Sequence, residues 1–219
     1  MKVPRAVIFD LDGTLLDTLE GIADTANAVL EEKGFPTHPR EAYRTFAGDG
    51  VGELLARALP PEKGNPALVQ ECVQSFKEGY ARFWPTSSRP YEGIPELLDE
   101  LVARELPICV LSNKLHAFTV QFVDRLLAKW SFAFVVGQRE GVPRKPDPTS
   151  ALQMAADLHL SPSEILYLGD TNTDMQTAVS AGMMPLGVTW GFREKPELLA
   201  SGAAQVVSHP GEVSSFFEQ

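Results

Sequence analysis

Positive charge is scarce in this chain: 19 lysines and arginines face 29 acidic residues in a length of 219, for a net charge of −10. That deficit argues against nucleic acid or an anionic membrane surface as a partner. Cysteine is scarcer still. Cys72 and Cys109 lie in apolar surroundings (Glu71-Cys72-Val73 and Ile108-Cys109-Val110) and read as buried reduced thiols, not as a disulfide or a metal pair. No apolar stretch reaches membrane-spanning length, and the opening Met1-Lys2-Val3-Pro4-Arg5 carries no readable signal peptide. Internal repeats and low-complexity tracts are missing too. These absences point to a soluble, cytoplasmic protein.

Apolar residues are plentiful at 44%, enough for a packed core in one good-sized domain or in a core carrying an insert. Ala6-Val7-Ile8-Phe9 is a short buried-strand pattern ending at a turn, Asp10-Leu11-Asp12-Gly13-Thr14. Comparable runs recur at 107–111, 132–136, 165–168 and 184–188, with a weaker one at 205–207. Helical patterns alternate with them at 94–104, 117–127, 149–158 and 172–181. This alternation predicts an α/β core, a mostly parallel sheet with helices on both faces.

Residues 19–84 break the alternation. Ile22, Ala26, Val29 and Leu30 form one helical stripe; Leu54, Leu55, Ala58 and Leu59 a second; Leu68, Val69, Val73, Phe76 and Tyr80 a third. Pro60-Pro61 and Lys63-Gly64-Asn65-Pro66 punctuate the last two. The pattern predicts a small all-helical domain over 18–87, inserted into a core of 1–17 and 88–219, with Ser87-Ser88-Arg89-Pro90 as a hinge.

Ligands of open parallel sheets bind beyond the carboxyl ends of the strands, so chemistry is expected there. The first strand delivers Asp10 and Asp12 at a tight turn that Gly13 permits and Thr14 holds. Their mutual repulsion makes such a pair a seat for a divalent cation. The strand at 107–111 delivers Ser112-Asn113-Lys114, in which a hydroxyl and free amides suit a phosphate oxygen, although Ser and Asn are also ordinary helix caps. Lys145 stands in the rigid connection Gly141-Val142-Pro143-Arg144-Lys145-Pro146-Asp147-Pro148, a cation preset for a phosphate. The strand at 165–168 delivers Gly169-Asp170-Thr171-Asn172-Thr173-Asp174. Helix capping explains either acid alone; two of them after a buried strand and a glycine point to metal ligands.

At this point the sequence resembles the haloacid dehalogenase superfamily. Phe9-Asp10-Leu11-Asp12-Gly13-Thr14-Leu15 is similar to its first motif, Ser112 to its second, Lys145 to its third and Gly169-Asp170 through Asp174 to its fourth. The resemblance spans essentially the whole chain and implies a Rossmann-like core with a helical cap. Within the superfamily the likeness is greatest to phosphoglycolate phosphatases. It is carried by Asp17-Thr18, Ser112-Asn113-Lys114, Lys145-Pro146-Asp147-Pro148, Gly169-Asp170-Thr171 and a cap segment, Tyr43-Arg44-Thr45-Phe46-Ala47-Gly48-Asp49-Gly50. Trp190-Gly191-Phe192 is also of the familial type, with phenylalanine where tyrosine is more usual. Asp49 is expected to disfavour a second carboxylate on the substrate.

The resemblance implies a phosphatase of small phosphorylated metabolites. Mg²⁺ is expected on Asp10, the backbone carbonyl of Asp12 and Asp170, with Asp174 a ligand or an orienting neighbour; the all-oxygen set favours magnesium. Asp10 is the expected nucleophile, forming an aspartyl-phosphate, and Asp12 the general acid and base. Ser112, Asn113 and Lys145 would hold the transferring group, and Arg44 the remote end of the substrate. A dehalogenase would lack Asp12, and a phosphonatase would need a cap lysine that the loop around Gly48 to Val51 does not have. A sugar-phosphate mutase keeps both acids, and a catalytically silent binding module is the remaining alternative. The four histidines (His38, His116, His159, His209) are expected on the surface, and Trp84, Trp130 and Trp190 as packing or loop anchors. Monomer and homodimer are equally compatible with the sequence.

Overall fold

The computed structural model of the chain describes residues 3–61 and 64–218, the side chains of 81–85 excepted. Lys63 and the Trp84 side chain lie outside the described residues. The chain divides into two compact units, Met1–Leu16 with Pro90–Gln219, and Asp17–Arg89.

The first unit is built on six parallel strands. They are β1 (Ala6–Phe9), β4 (Ile108–Leu115), β5 (Phe134–Gln138), β6 (Ile165–Gly169), β7 (Met184–Val188) and β8 (Gln205–Val207); the intervening β2 (Leu16–Asp17) and β3 (Arg89–Pro90) are two-residue strands paired where the chain passes between units. The sheet order is β5-β4-β1-β6-β7-β8. β1 is therefore central, with Val7 beside Ile108 on one flank and beside Leu166 on the other. A strand covered on both faces has to be apolar throughout, and Ala6, Val7, Ile8 and Phe9 are all fully buried. From β1 the sheet grows outward through β4 to β5. It then resumes on the opposite flank at β6, so the connection order reverses across β1, where such sheets bind ligands.

Helices α5 (Ile94–Ala103), α6 (His116–Leu126), α7 (Thr149–Asp157), α8 (Asn172–Ala181) and α9 (Lys195–Ala200) lie along this unit. One face of the sheet packs Ala6, Ile8, Cys109, Leu111, Ile165 and Tyr167 against Ala151, Met154 and Ala155 of α7 and Ala178 and Ala181 of α8. Alternate residues of each strand point into this layer, as the two-residue repeat of a strand requires. α5 buries Ile94, Leu97, Leu98 and Leu101 and packs with the C-terminal 3₁₀ turns at Pro210–Phe217.

β4 departs from expectation. Ser112, Asn113 and Lys114 were expected to turn into a helix; instead the strand continues to Leu115, with an irregularity in its pairing to β5 between Leu111 and Leu115. The pairing of Leu115 with Gln138 carries extended backbone through residues whose local preference is a turn.

The second unit is helical: α1 (Leu19–Glu32), α2 (Tyr43–Phe46), α3 (Val51–Ala58) and α4 (Pro66–Ser87). α1 buries Ile22, Ala26, Val29 and Leu30, α3 buries Leu54, Leu55 and Ala58, and α4 buries Cys72, Val73, Phe76 and Tyr80. α4 starts at Asn65, whose side chain accepts from the Leu68 N–H, with Pro66 in the first turn, where its missing N–H costs nothing. His38 is not a simple surface residue: half-buried, it packs edge-on to Tyr43 and Phe46, and its Nε2 lies 2.7 Å from the Ala58 carbonyl oxygen. Both cysteines are buried and unpaired. Among the described residues no helix is long and apolar enough to cross a membrane.

Candidate active site

The carboxyl ends of β1, β4 and β6 gather the acids and a lysine at one place. Asp10 follows β1, and its N–H still donates to the Leu168 carbonyl at 3.0 Å, extending the ladder by one residue. The turn beyond folds tightly, with the N–H groups of Leu15 and Leu16 both reaching the Leu11 carbonyl. Gly13 allows this with φ +87°. A Cβ there would collide with the Asp170 carboxylate, so the glycine also makes room for the acid from the next strand.

Asp170 follows β6 and is fully buried. Its Oδ1 accepts from the Thr14 hydroxyl at 2.8 Å and its Oδ2 from the Phe192 N–H at 2.8 Å. Thr14 therefore serves a strand 156 residues away, beyond its own turn. Phe192 acts here through its backbone, which its side-chain identity does not affect. The same loop anchors itself by the Trp190 indole N–H on the Thr14 carbonyl at 2.9 Å. Gly191 is bare at the point where a Cβ would strike the Gly13 carbonyl and the Asp170 side chain.

Asp174 sits in the first turn of α8. Its Oδ2 accepts from the Thr171 N–H at 3.1 Å and the Thr171 hydroxyl at 2.6 Å, while its own N–H reaches back to Thr171, a reciprocal cap. Its Oδ1 accepts from Lys145 Nζ at 2.6 Å. The same ammonium donates to the Leu111 carbonyl at 2.9 Å and lies 2.9 Å from Asp10 Oδ1. That last contact is one of charge without hydrogen-bond alignment, and Asp10 Oδ1 has no hydrogen-bond partner.

Lys145 reaches this position because Asn113 grips its backbone. The Asn113 amide donates to the Lys145 carbonyl at 3.1 Å and accepts from the Lys145 N–H at 2.9 Å. The Asn113 side chain, expected on substrate, thus serves the lysine. Ser112 is buried beside it and accepts from the Lys114 N–H at 3.3 Å. Asp12 stands slightly apart from the other acids, with both carboxylate oxygens on Lys114 Nζ, at 2.9 and 3.0 Å. Arg44 belongs to the helical unit, where its Nε donates to Glu41 at 2.7 Å. In that unit Arg57 donates to Asp49 at 2.5 Å and to the Phe46 carbonyl at 2.9 Å, so the charge of Asp49 is compensated locally.

One carboxylate oxygen from each of Asp10, Asp170 and Asp174 lies within 4.8 Å of the others. Burial pushes the Asp10 carboxyl up from 3.8 to about 7; Lys145 opposes the rise, and Asp174 and Asp12 add to it. Burial, with Asp174 and Asp10, also holds Asp170 well above its ordinary range. Burial works against the Lys145 charge, but Asp10 and Asp174 outweigh it and hold that ammonium well above its usual value. Asp10, Asp12, Asp170 and Asp174 meet two ammonium groups, Lys114 and Lys145. Fully ionised, the six carry a net charge of −4 + 2 = −2. The negative charge left over on full ionisation and the all-oxygen donor set fit a divalent cation of the hard class.

Comparison with known proteins gives the site a family. Residues 7–188 match the family model of haloacid dehalogenase-like hydrolases. This chain belongs to the haloacid dehalogenase-like hydrolase family. It is accordingly an enzyme of the hydrolase class. Among curated relatives, a phosphoglycolate phosphatase of Thiobacillus denitrificans is 32% identical over 86% of this chain and 84% of that protein. Another, from Yersinia pestis, is 30% identical over 99% of this chain and 91% of its own length. Among solved structures, a haloacid dehalogenase-like family hydrolase from Streptococcus pneumoniae superposes with a TM-score of 0.89 at 26% identity, covering 100% of both chains. A structure from Lactobacillus delbrueckii subsp. bulgaricus gives a TM-score of 0.91 at 28% identity, covering 99% of each.

Within this hydrolase, the sequence pointed to Asp10, Asp12, Ser112, Asn113, Lys145, Asp170 and Asp174, which lie at or just past the carboxyl ends of β1, β4 and β6 or in the loop after β5, and to Arg44, which lies in the helical unit. It missed the Thr14–Asp170 bond, the Phe192 N–H, and Lys114 as the partner of Asp12. Only the position of Trp190-Gly191-Phe192, just past a strand, hinted at the second.

Proposed function

We propose that this hydrolase is a Mg²⁺-dependent phosphatase that cleaves a small phosphate monoester of the 2-phosphoglycolate type through an aspartyl-phosphate on Asp10. The convergence of Asp10, Asp170 and Asp174 within 4.8 Å, with Lys145 among them, carries this reading. The names of the curated relatives support the substrate class. Asp10, the backbone carbonyl of Asp12, and Asp170 would hold the cation, with Asp174 as a ligand or as the anchor of Lys145. Bound there, Mg²⁺ supplies the charge that lets one anion approach another.

The rest falls to the chain's own residues. Asp10 must be ionised to attack, and Lys145 at 2.9 Å favours that form. One of its carboxylate oxygens attacks phosphorus in line, forming the oxygen–phosphorus bond of the aspartyl-phosphate as the bond to the ester oxygen breaks. Asp12 gives its proton to the departing alkoxide, then takes one from the water that attacks the phospho-aspartate. The Ser112 hydroxyl and neighbouring amides hold the phosphoryl oxygens while Lys145 balances their charge. The helical insert, residues 18–87, serves as the cap that carries specificity, with Arg44 the contact for the remote end of the substrate. Compensation of Asp49 by Arg57 removes an objection to a second carboxylate on that substrate.

Phosphate release from p-nitrophenyl phosphate and from a panel of phosphorylated metabolites that includes 2-phosphoglycolate tests the proposal. Metal-dependent release, abolished in Asp10→Asn, supports it. Phosphoryl exchange between sugar phosphates with negligible net release would replace it with a mutase. An unaltered KM in Arg44→Ala on the best substrate would remove that residue from the site.

A further inference from the structure

Asp12 carries the proton in the reading above, and this inference rests on that reading. Its own turn does little to orient it. Both oxygens are instead engaged by one ammonium, Lys114 Nζ at 2.9 and 3.0 Å, from a residue 102 positions away at the far end of β4. A lysine on four rotatable bonds is normally loose. This one is 7% exposed in its side chain, and its ammonium stands 4.1 Å from the ring centroid of Phe122, itself fully buried on α6. The charge is thus braced between an aromatic face and a carboxylate. The groups that meet the Asp12 carboxylate and brace its partner thus come from β4 and α6, and not from the glycine-bearing turn on which it sits.

We propose that Lys114 is a positioning residue for proton transfer, holding the Asp12 carboxyl in the orientation from which it serves the leaving oxygen and then the attacking water. When Asp12 is protonated, one of its oxygens accepts from Lys114 and the other presents the transferable proton; after transfer both accept from Lys114. The two lysines of the site then divide the work, Lys145 serving Asp10 and Asp174, and Lys114 serving Asp12. Misorientation of an acid or base by about 1 Å is enough to cost about 10²-fold in rate.

The role shows in leaving-group dependence. An alkoxide needs a proton to depart, whereas p-nitrophenolate leaves without one. The full-length enzyme with saturating Mg²⁺ is assayed for kcat/KM on p-nitrophenyl phosphate and on 2-phosphoglycolate. Lys114→Met is expected to lose about 10- to 10²-fold on the alkyl ester and only a few-fold on the aryl ester. Lys114→Arg is expected to recover part of the loss. Asp12→Asn should give the same selectivity, larger in size, at about 10²- to 10⁴-fold on the alkyl ester. Equal losses on both esters in Lys114→Met, or none on either, overturn the inference while a selective Asp12→Asn leaves the reading of the site intact. An Asp12→Asn without selectivity overturns both. Should Lys114→Met fail to fold, Phe122→Leu, which keeps apolar volume but removes the ring face, must give the same selectivity in smaller measure; without it the inference fails.

Discussion

At the scale of single residues, the site is a problem of charge. Asp10, Asp170 and Asp174 are buried acids held close, and one lysine cannot balance three of them. A nucleophilic Asp10 should tolerate no isostere: Asp10→Asn is expected to lower kcat by at least about 10³-fold while leaving the fold intact, checked by phosphate release and circular dichroism. Gly13 is the opposite case, a residue that matters through what it lacks. With φ +87° and Asp170 where a Cβ would stand, Gly13→Ala should cost about 1–3 kcal/mol of stability from backbone strain. It should also raise the Mg²⁺ concentration needed for half-maximal activity, since Asp170 must move. A urea titration and a metal titration of the same variant check both expectations.

At the scale of elements, each strand end supports a neighbour. α8 begins with Thr171 capping Asp174, and Asp174 in turn anchors Lys145. Thr171→Val keeps the shape and removes both hydroxyl bonds. The lost cap is expected to cost about 1 kcal/mol in denaturant unfolding. Metal affinity should fall in the same variant, because Asp174 Oδ2 loses its 2.6 Å partner. A variant destabilised with unchanged metal affinity would separate the cap from the site. β4 makes the complementary point. Ser112-Asn113-Lys114 carries turn chemistry in its own sequence, yet pairing of Leu115 with Gln138 keeps it extended. That extension carries Asn113 to the Lys145 backbone and Lys114 to Asp12. No local propensity encodes those destinations.

At the scale of the molecule, the buried acids couple folding to pH. Asp10 titrates at about 7 in the folded protein, against 3.8 for an ordinary aspartate. Between these values the folded state binds more protons than the unfolded one, so stability contributed here falls as pH rises from about 4 to about 7 and is level above. Asp170, also raised, acts with the same sign. A divalent cation bound by these acids would replace the proton. Mg²⁺ at about 100 times its dissociation constant should add about 2.7 kcal/mol and flatten the slope, since it binds the ionised acids. Thermal melts from pH 5 to 8, with chelator and with Mg²⁺, check this; parallel curves would refute it. Much of this molecule was legible in the chain alone. Fully apolar short runs alternating with helical stripes specify a parallel sheet, because strands covered on both faces must exclude polar residues, and chemistry placed just past those runs marks the site. The helical stripes of 18–87 were equally plain, since a period of 3.6 shows within a few turns. What the sequence could not disclose are the partnerships: Thr14 with Asp170, Asn113 with the Lys145 backbone, Phe192 N–H with Asp170, and Lys114 with Asp12. Strand order and register decide them, by setting β1 between β4 and β6, and that arrangement exists only once the sheet has formed.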